Sequence, residues 1–374
     1  MTKAYAASST SSAASKLPPD LPLDSVRPEP IRIAPIFSPR LWGSRSLDPL
    51  FPEKSNLTEP LGEAWLTGVD CKIATGPFKE KTLGTAWSEM PAEWRGTRLT
   101  SCKDFPILVK FIFPQEKLSI QVHPNDAYAA AREQAAGGRG KTEMWHAVAA
   151  EPGAQVLVGL KSGVDKKKFL GALADNKLED LFLSHAVRSG DTFFVPAGTP
   201  HTIGPGMVLC EVQEYSDLTY RVYDYGRLDF RGKSRELHIE KAIDVMSFGS
   251  ACDPRAVGLP LAAGPVSKTL LAACSYFATE RWEFRVSVQS ESVAANFHLF
   301  AILAGSGYIH WQGSPATYQA GQCWFIPANL GKFSLQPEQS TSLIRTWVPD
   351  LENLRAELRR AGASEAQLAQ TIFA

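Results

Sequence analysis

The sequence predicts a mostly β protein built as two barrels in tandem, decorated by short helices, with the second barrel degenerate. Three observations carry that expectation. From residue 31 onward, short alternating runs (IRIAPIF, ILVKFIF, LSIQVH, TEMWHAV, QVLVGL, TFFVP) are separated by Gly, Pro and Asn/Asp turns, the pattern of strands in a barrel or sandwich. A G-x5-P string occurs twice, as GDTFFVP at 190–196 and GQCWFIP at 321–327. Each copy sets a turn, an aromatic-rich strand and a proline corner in the same order, which implies a repeated unit. Finally, 374 residues leave room for two units of the usual ~150 residues.

Taken in order, residues 1–30 (MTKAYAASSTSSAASKLPPDLPLDSVRPEP) are Ser/Ala-rich and then Pro-rich. Such a composition buries too little apolar area to offset its ordering entropy, so this stretch reads as a flexible extension. Residues 31–260 form the first barrel with helical insertions, residues 261–349 the second barrel, and residues 350–374 a C-terminal helix. Within the insertions, 125–136 (NDAYAAAREQAA) opens on a capping Asn/Asp and stops at Gly137 and Gly138. Residues 164–185 are expected to hold two short helices and 237–246 another, while Leu351, Leu354 and Leu358 mark the tail helix.

Composition excludes several partners. Lys plus Arg and Asp plus Glu both count 39, a formal charge of +0, which argues against nucleic acid and against a polybasic membrane anchor. An anionic partner therefore has to be held by a local cluster. No run of 18 apolar residues predicts a membrane span. The six cysteines (Cys71, Cys102, Cys210, Cys252, Cys274, Cys323) lack any CxxC spacing, so they read as reduced, mostly buried thiols and not as a thiolate metal site. Without a basic, apolar, small-residue leader pattern, the expected compartment is the cytoplasm.

The chemistry concentrates in four segments. In LSIQVHP (118–124), strand alternation puts Ser119, Gln121 and His123 on one face. In KTEMWH (141–146), Lys141 and Glu143 share a face. GDTFFVPAGTPH (190–201) ends a strand, reverses and presents His201; this G-x5-P-x-G-x2-H string is the second signature of cupin barrels, which are jelly rolls. His123, Glu143 and His201, with Gln121 as a neutral oxygen donor, would make a nitrogen and oxygen site for one borderline divalent ion, best matched by zinc. Two imidazoles and one carboxylate leave it at net +1, suited to polarising a sugar oxygen. SDLTYRVYDYGR (216–227) is dense in Arg, Tyr and Asp, and an Arg near Lys141 would supply the anion cluster required above.

Together with PIFSPRLWGS, GEAWLTG and RELHIEKAIDV, these segments resemble the type I phosphomannose isomerases in their short bacterial form, in unbroken order over residues 31–349. The resemblance implies tandem cupin barrels and a zinc-dependent interconversion of mannose 6-phosphate and fructose 6-phosphate through a cis-enediol. Matched motif by motif, it implies Gln121, His123, Glu143 and His201 as metal ligands, and Lys141, Asp217 and Arg221 as catalytic residues. Ser119, Trp42 and Glu63 fall in its substrate pocket. Longer members carry His-Lys-Pro-Glu where this chain has Gly140, Lys141, Thr142 and Glu143, and a tyrosine where it has Ile203, so roles tied to those side chains do not transfer.

Plainer readings hold elsewhere. His146, His185, His238, His298 and His310 stand outside any motif and read as structural. KSGVDKKKF is a solvated helix start, and Gly305-Ser-Gly307 a hairpin. TYRVYDYGR taken alone could equally be an exposed strand ladder. Five residues after Pro327 stands Lys332, where His201 stands five after Pro196, so the second barrel reads as a scaffold without metal. A non-catalytic sugar-binding or sensor cupin is the rival function, disfavoured by the presence of Lys141, Asp217 and Arg221. A cupin oxygenase, which would need iron and an open coordination face, is a further rival.

Overall fold

The structure is a computed structural model that describes residues 27–229, 231–249 and 253–373; most of the expected flexible extension lies outside them. The chain is mostly β, and the strand pairing resolves into two antiparallel barrels.

The first barrel faces a six-stranded sheet against a five-stranded one. The larger runs Ile36–Ser44, Leu61–Trp65, Ile107–Ile112, Met207–Glu214, Glu143–Ala150, Thr192–Val195, and the smaller Tyr220–Tyr223, Ile120–Val122, His201–Ile203, Gln155–Leu160, Phe182–Ala186. Ile112, Trp145, Val156, Val158, Val195 and Ile203 meet between them. In the second barrel a seven-stranded sheet faces the four strands Val288–Glu291, Lys332–Pro337, Ser306–His310 and Ala316–Gln319, over Trp282, Phe300, Trp324 and Leu343.

The two larger sheets pack back to back. Val109, Phe111, Cys210 and Val212 of the first barrel share a core with Leu299, Ala301, Phe325 and Ile344 of the second. Strands buried on both faces explain why Ile107–Ile112 and Met207–Glu214 are covered at every residue. Trp87 and Trp94, on the short helices Leu83–Glu89 and Ala92–Arg95, wedge into the same core. Gly96 lets this wedge close on the second barrel, since a Cβ there would lie 2.4 Å from Ala295 O.

Several boundaries differ from the sequence expectation. Ile31–Ile33 pairs with the second barrel (Ile31 opposite Phe325), so the first strand of the region assigned to the first barrel completes the other sheet. Residues 164–185 contain the helix Lys166–Ala174 and the 3-10 turn Leu178–Leu181, but Phe182–Ala186 is a strand, drawn out by pairing with Gln155–Leu160. The 125–136 segment breaks at Glu133 into Asp126–Arg132 and a 3-10 turn. The tail holds two helices, Leu351–Arg360 and Glu365–Ala369, divided where Gly362 takes φ +95°. Among the described residues no helix is long and apolar enough to cross a membrane, and the five described cysteines are free.

Candidate metal centre and substrate pocket

Three strand ends converge inside the first barrel. His201 opens His201–Ile203 and pairs with Gln121, which on its other side pairs with Arg221. Glu143 opens its own strand opposite Val195, the residue before the Pro196 corner. Gly198, at φ +84°, turns that corner and donates its N–H to His123 O at 2.8 Å. The two histidine motifs are thereby tied together through backbone.

The imidazoles are oriented by carbonyls. His123 Nδ1 lies 2.9 Å from Leu218 O and His201 Nδ1 lies 2.8 Å from Thr199 O. A carbonyl can only accept, so Nδ1 carries the proton in each ring and Nε2 presents its lone pair to the centre. Glu143 Oε1 stands 3.3 Å from His201 Nε2 and 3.7 Å from His123 Nε2. The three donors lie within 4.8 Å of one another, all buried, and among the described residues no other His, Cys, Asp or Glu group converges this way. Gln121 reaches the same point, its amide Nε2 3.3 Å from His201 Nε2.

Burial keeps both rings neutral: it lowers His123 below its ordinary value and His201 to about 3. Glu143 behaves oppositely. Burial works against its charge, yet the Lys141 ammonium beside it holds its carboxyl well below the usual range. Lys141 donates to Glu143 Oε2 and lies 3.2 Å from His123 Nε2, so the cluster already accommodates a cationic group.

Above it opens a cavity of about 890 Å³. Trp42, Glu63, Ser119, Gln121, Lys141, Asp217 and Arg221 line it, so the structure brings all ten expected residues to one place, with His123, Glu143 and His201 buried deeper. Arg221 Nε donates to Ser119 Oγ at 3.3 Å, and Arg40 caps Glu63 at 2.6 Å. Ile203, at the position of the longer members' tyrosine, lines the same cavity.

Charged lining residues that were not singled out from sequence include Lys110, Glu211, Arg40 and Arg235. Lys110 is 2% exposed, 3.2 Å from Asp217 Oδ1 and 3.8 Å from Glu211 Oε1. Although burial opposes its charge, Asp217, Glu63 and Glu211 raise its pKa. Burial, with the charge of Glu143 adding to it, pushes Glu211 up to about 7 against the pull of Lys141 and Lys110. Trp145 Nε1 donates to its other oxygen at 3.1 Å. At the mouth, Arg221 is crowded by other guanidiniums: burial first, then Arg235, Arg227 and Arg40, lowers its pKa.

The second barrel repeats the framework with different side chains. His298 stands opposite Ile326 as Glu143 stands opposite Val195. Arg345 pairs with Glu280 where Glu211 pairs with Lys110, the charges exchanged between the strands. Arg345 bridges Glu280 at 3.0 Å and His298 Nε2 at 2.7 Å. Lys332, at the place of His201, is exposed on a strand opposite Glu291.

The sequence model of the family described as phosphomannose isomerase type I, catalytic domain, matches residues 32–150. The chain is similar to mannose-6-phosphate isomerase ManA of Bacillus subtilis, 31% identical over 316 residues, covering 82% of this chain and 96% of that protein. It is also similar to the mannose-6-phosphate isomerase of Streptococcus mutans serotype c, 34% identical over 289 residues, covering 75% and 87%. Among solved structures, that of the mannose 6-phosphate isomerase from Bacillus subtilis superposes with a TM-score of 0.77 at 28% identity, covering 85% of this chain and 99% of the other.

Proposed function

The chain belongs to the type I phosphomannose isomerase family and is a mannose-6-phosphate isomerase; we propose that it converts mannose 6-phosphate to fructose 6-phosphate through a cis-enediol, with one zinc ion held by Gln121, His123, Glu143 and His201. The donor set fits such an ion: two neutral imidazoles with Nε2 turned inward, and one carboxylate kept ionised. Turned end for end, the Gln121 amide adds a neutral oxygen. Bound there, the ion would act as a Lewis acid on the sugar's oxygens.

Everything else falls to the chain's own groups. Isomerisation takes a proton from C2 and returns it to C1 while O1 and O2 exchange theirs, so it needs groups that titrate or donate within the pocket. Lys141 and Asp217 are the proposed proton carriers. Glu211, poised at about 7 beside Lys141, is a third group suited to pass a proton. Lys110 fixes Asp217 from below. Arg221, anchored by Ser119 and by Glu236 O at 3.1 Å, faces the charge that develops on the enediolate. The phosphate is assigned to the guanidinium-rich mouth of Arg40 and Arg235. Ser119, Trp42 and Glu63 are assigned to the walls that hold the sugar. The substrate is a free sugar phosphate, with no role for nucleic acid or membrane, and the setting is cytoplasmic, in keeping with free cysteines.

The observation that carries this reading is the convergence of His123, Glu143 and His201 beneath a cavity lined by Lys141, Asp217 and Arg221. Turnover of mannose 6-phosphate in deuterated water, followed by NMR, tests it. Fructose 6-phosphate should form and deuterium should enter the carbon skeleton on prolonged equilibration. Binding without product would favour a sensor, and label-free product at equilibrium would favour a direct hydride shift.

A further inference from the structure

We propose that Asp126 and Glu214 form a carboxyl pair that positions Lys141, braced from the second barrel by Tyr276. The segment from Gly140 to Thr142 lies outside any strand, so its amides need partners beyond the sheet ladder. Gly140 N donates to Asp126 Oδ1 at 2.8 Å, Thr142 N to Glu214 Oε1 at 2.7 Å and Lys141 N to Pro124 O at 3.0 Å. The amides flanking Lys141 are thus each held by a carboxyl oxygen. The fit is close, since a Cβ on residue 140 would lie 2.6 Å from Asn125 C.

The two carboxyls come from rigid places. Glu214 ends the strand Met207–Glu214 and is 4% exposed, and Asp126 opens the helix Asp126–Arg132. Tyr276, in the turn between Val266–Ala273 and Ala278–Phe284, donates to Asp126 Oδ2 at 2.8 Å. Glu214 is buried and Asp126 lies at the surface beside it, and two carboxylates that face each other resist double ionisation. Accordingly Glu214 is pushed up to about 8, by burial and then by Asp126. A protonated Glu214 can still accept from Thr142 N through Oε1, while Asp126 accepts from Gly140 N. Neither touches the cavity, so both act through the lysine, and the second barrel gains a part in the geometry of the first.

This inference rests on the assignment of Lys141 to the reacting pocket, and its test has one readout that needs no activity. In the full-length zinc-loaded protein, Glu214→Leu should speed hydrogen exchange at the Gly140 and Thr142 amides. It should also lower kcat by about 10- to 100-fold, the scale of a misplaced catalytic group, with KM and zinc content nearly unchanged. Glu214→Gln, whose amide can accept from Thr142 and donate to Asp126, should restore most of kcat. Tyr276→Phe should lower kcat several-fold. In a Lys141→Ala background Glu214→Leu should add little, because the two act as one unit.

Wild-type kcat in a folded Glu214→Leu, or full additivity with Lys141→Ala, would overturn the positioning role. Parallel loss of zinc would overturn it too, by moving the effect to Glu143. Should Glu214→Leu not fold, unchanged kcat and amide exchange in Tyr276→Phe together with Glu214→Gln as inactive as Lys141→Ala would count the same way. A wild-type protein without isomerase activity but with faster exchange in Glu214→Leu would instead sink the isomerase reading and leave the backbone clamp standing.

Discussion

Lys110 holds Asp217 from beneath the pocket floor, its Nζ 3.2 Å from Asp217 Oδ1. With Glu211 also within 3.8 Å, this one ammonium faces two carboxylates, the buried Glu211 and the exposed Asp217. Removing Lys110 would leave the buried Glu211 with Lys141 as its remaining cationic neighbour, at 3.8 Å, while water screens the exposed Asp217. Lys110→Met is expected to cost about 1 to 2 kcal/mol of stability at pH 8, carried by Glu211. The cost should be smaller at pH 6, where Glu211, already poised at about 7, can take up a proton. Urea denaturation at both pH values measures it, and a cost independent of pH would detach Glu211 from the network.

Arg221→Lys keeps the charge but loses the planar fork that can engage two oxygens while Nε stays on Ser119 Oγ. Metal content should be retained while kcat/KM falls by roughly one to three orders of magnitude, the range for a lost oxyanion donor. Steady-state kinetics with metal analysis decides the matter; a wild-type rate would mean that the reacting oxygens lie elsewhere.

His146 supplies a pH dependence away from the pocket. Burial, with Arg281 nearby, lowers it to about 3, and Nδ1 meets Thr192 Oγ1 at 3.0 Å. Between the unfolded value near 6.5 and the folded value, the unfolded chain binds the extra proton. The neutral ring's stabilisation is therefore complete above about pH 6.5 and is lost as the pH falls toward 3. From pH 7 to pH 5 the loss should be about 2 kcal/mol. His146→Gln, which cannot titrate, should show a pH slope smaller by that amount in denaturation experiments. Identical slopes would show that the ring titrates normally in the fold.

The parts of this site legible in the sequence are those with local grammar. GDTFFVPAGTPH encodes a strand, a corner needing Gly198 at positive φ and the histidine behind it, while alternation in LSIQVH places Gln121 and His123 together. Lys110 and Glu211 lacked such grammar. Each sits in a run buried on both faces, where alternation disappears and the charge looks incidental; the lone Lys inside ILVKFIF was the available signal. Pairing of Ile31–Ile33 with Cys323–Phe325 leaves no local trace, because register across such a separation is set by tertiary packing. For the same reason Phe182–Ala186 became a strand only through its partner.

Zinc titration into chelated protein, with fructose 6-phosphate formation followed alongside bound metal, tests the proposed site most directly. Activity should rise in proportion to bound metal and saturate at one ion per chain, and folded His201→Ala should lose metal and activity together. Undiminished turnover in metal-free protein, or activity that requires a second equivalent ion, would contradict a single centre built from Gln121, His123, Glu143 and His201.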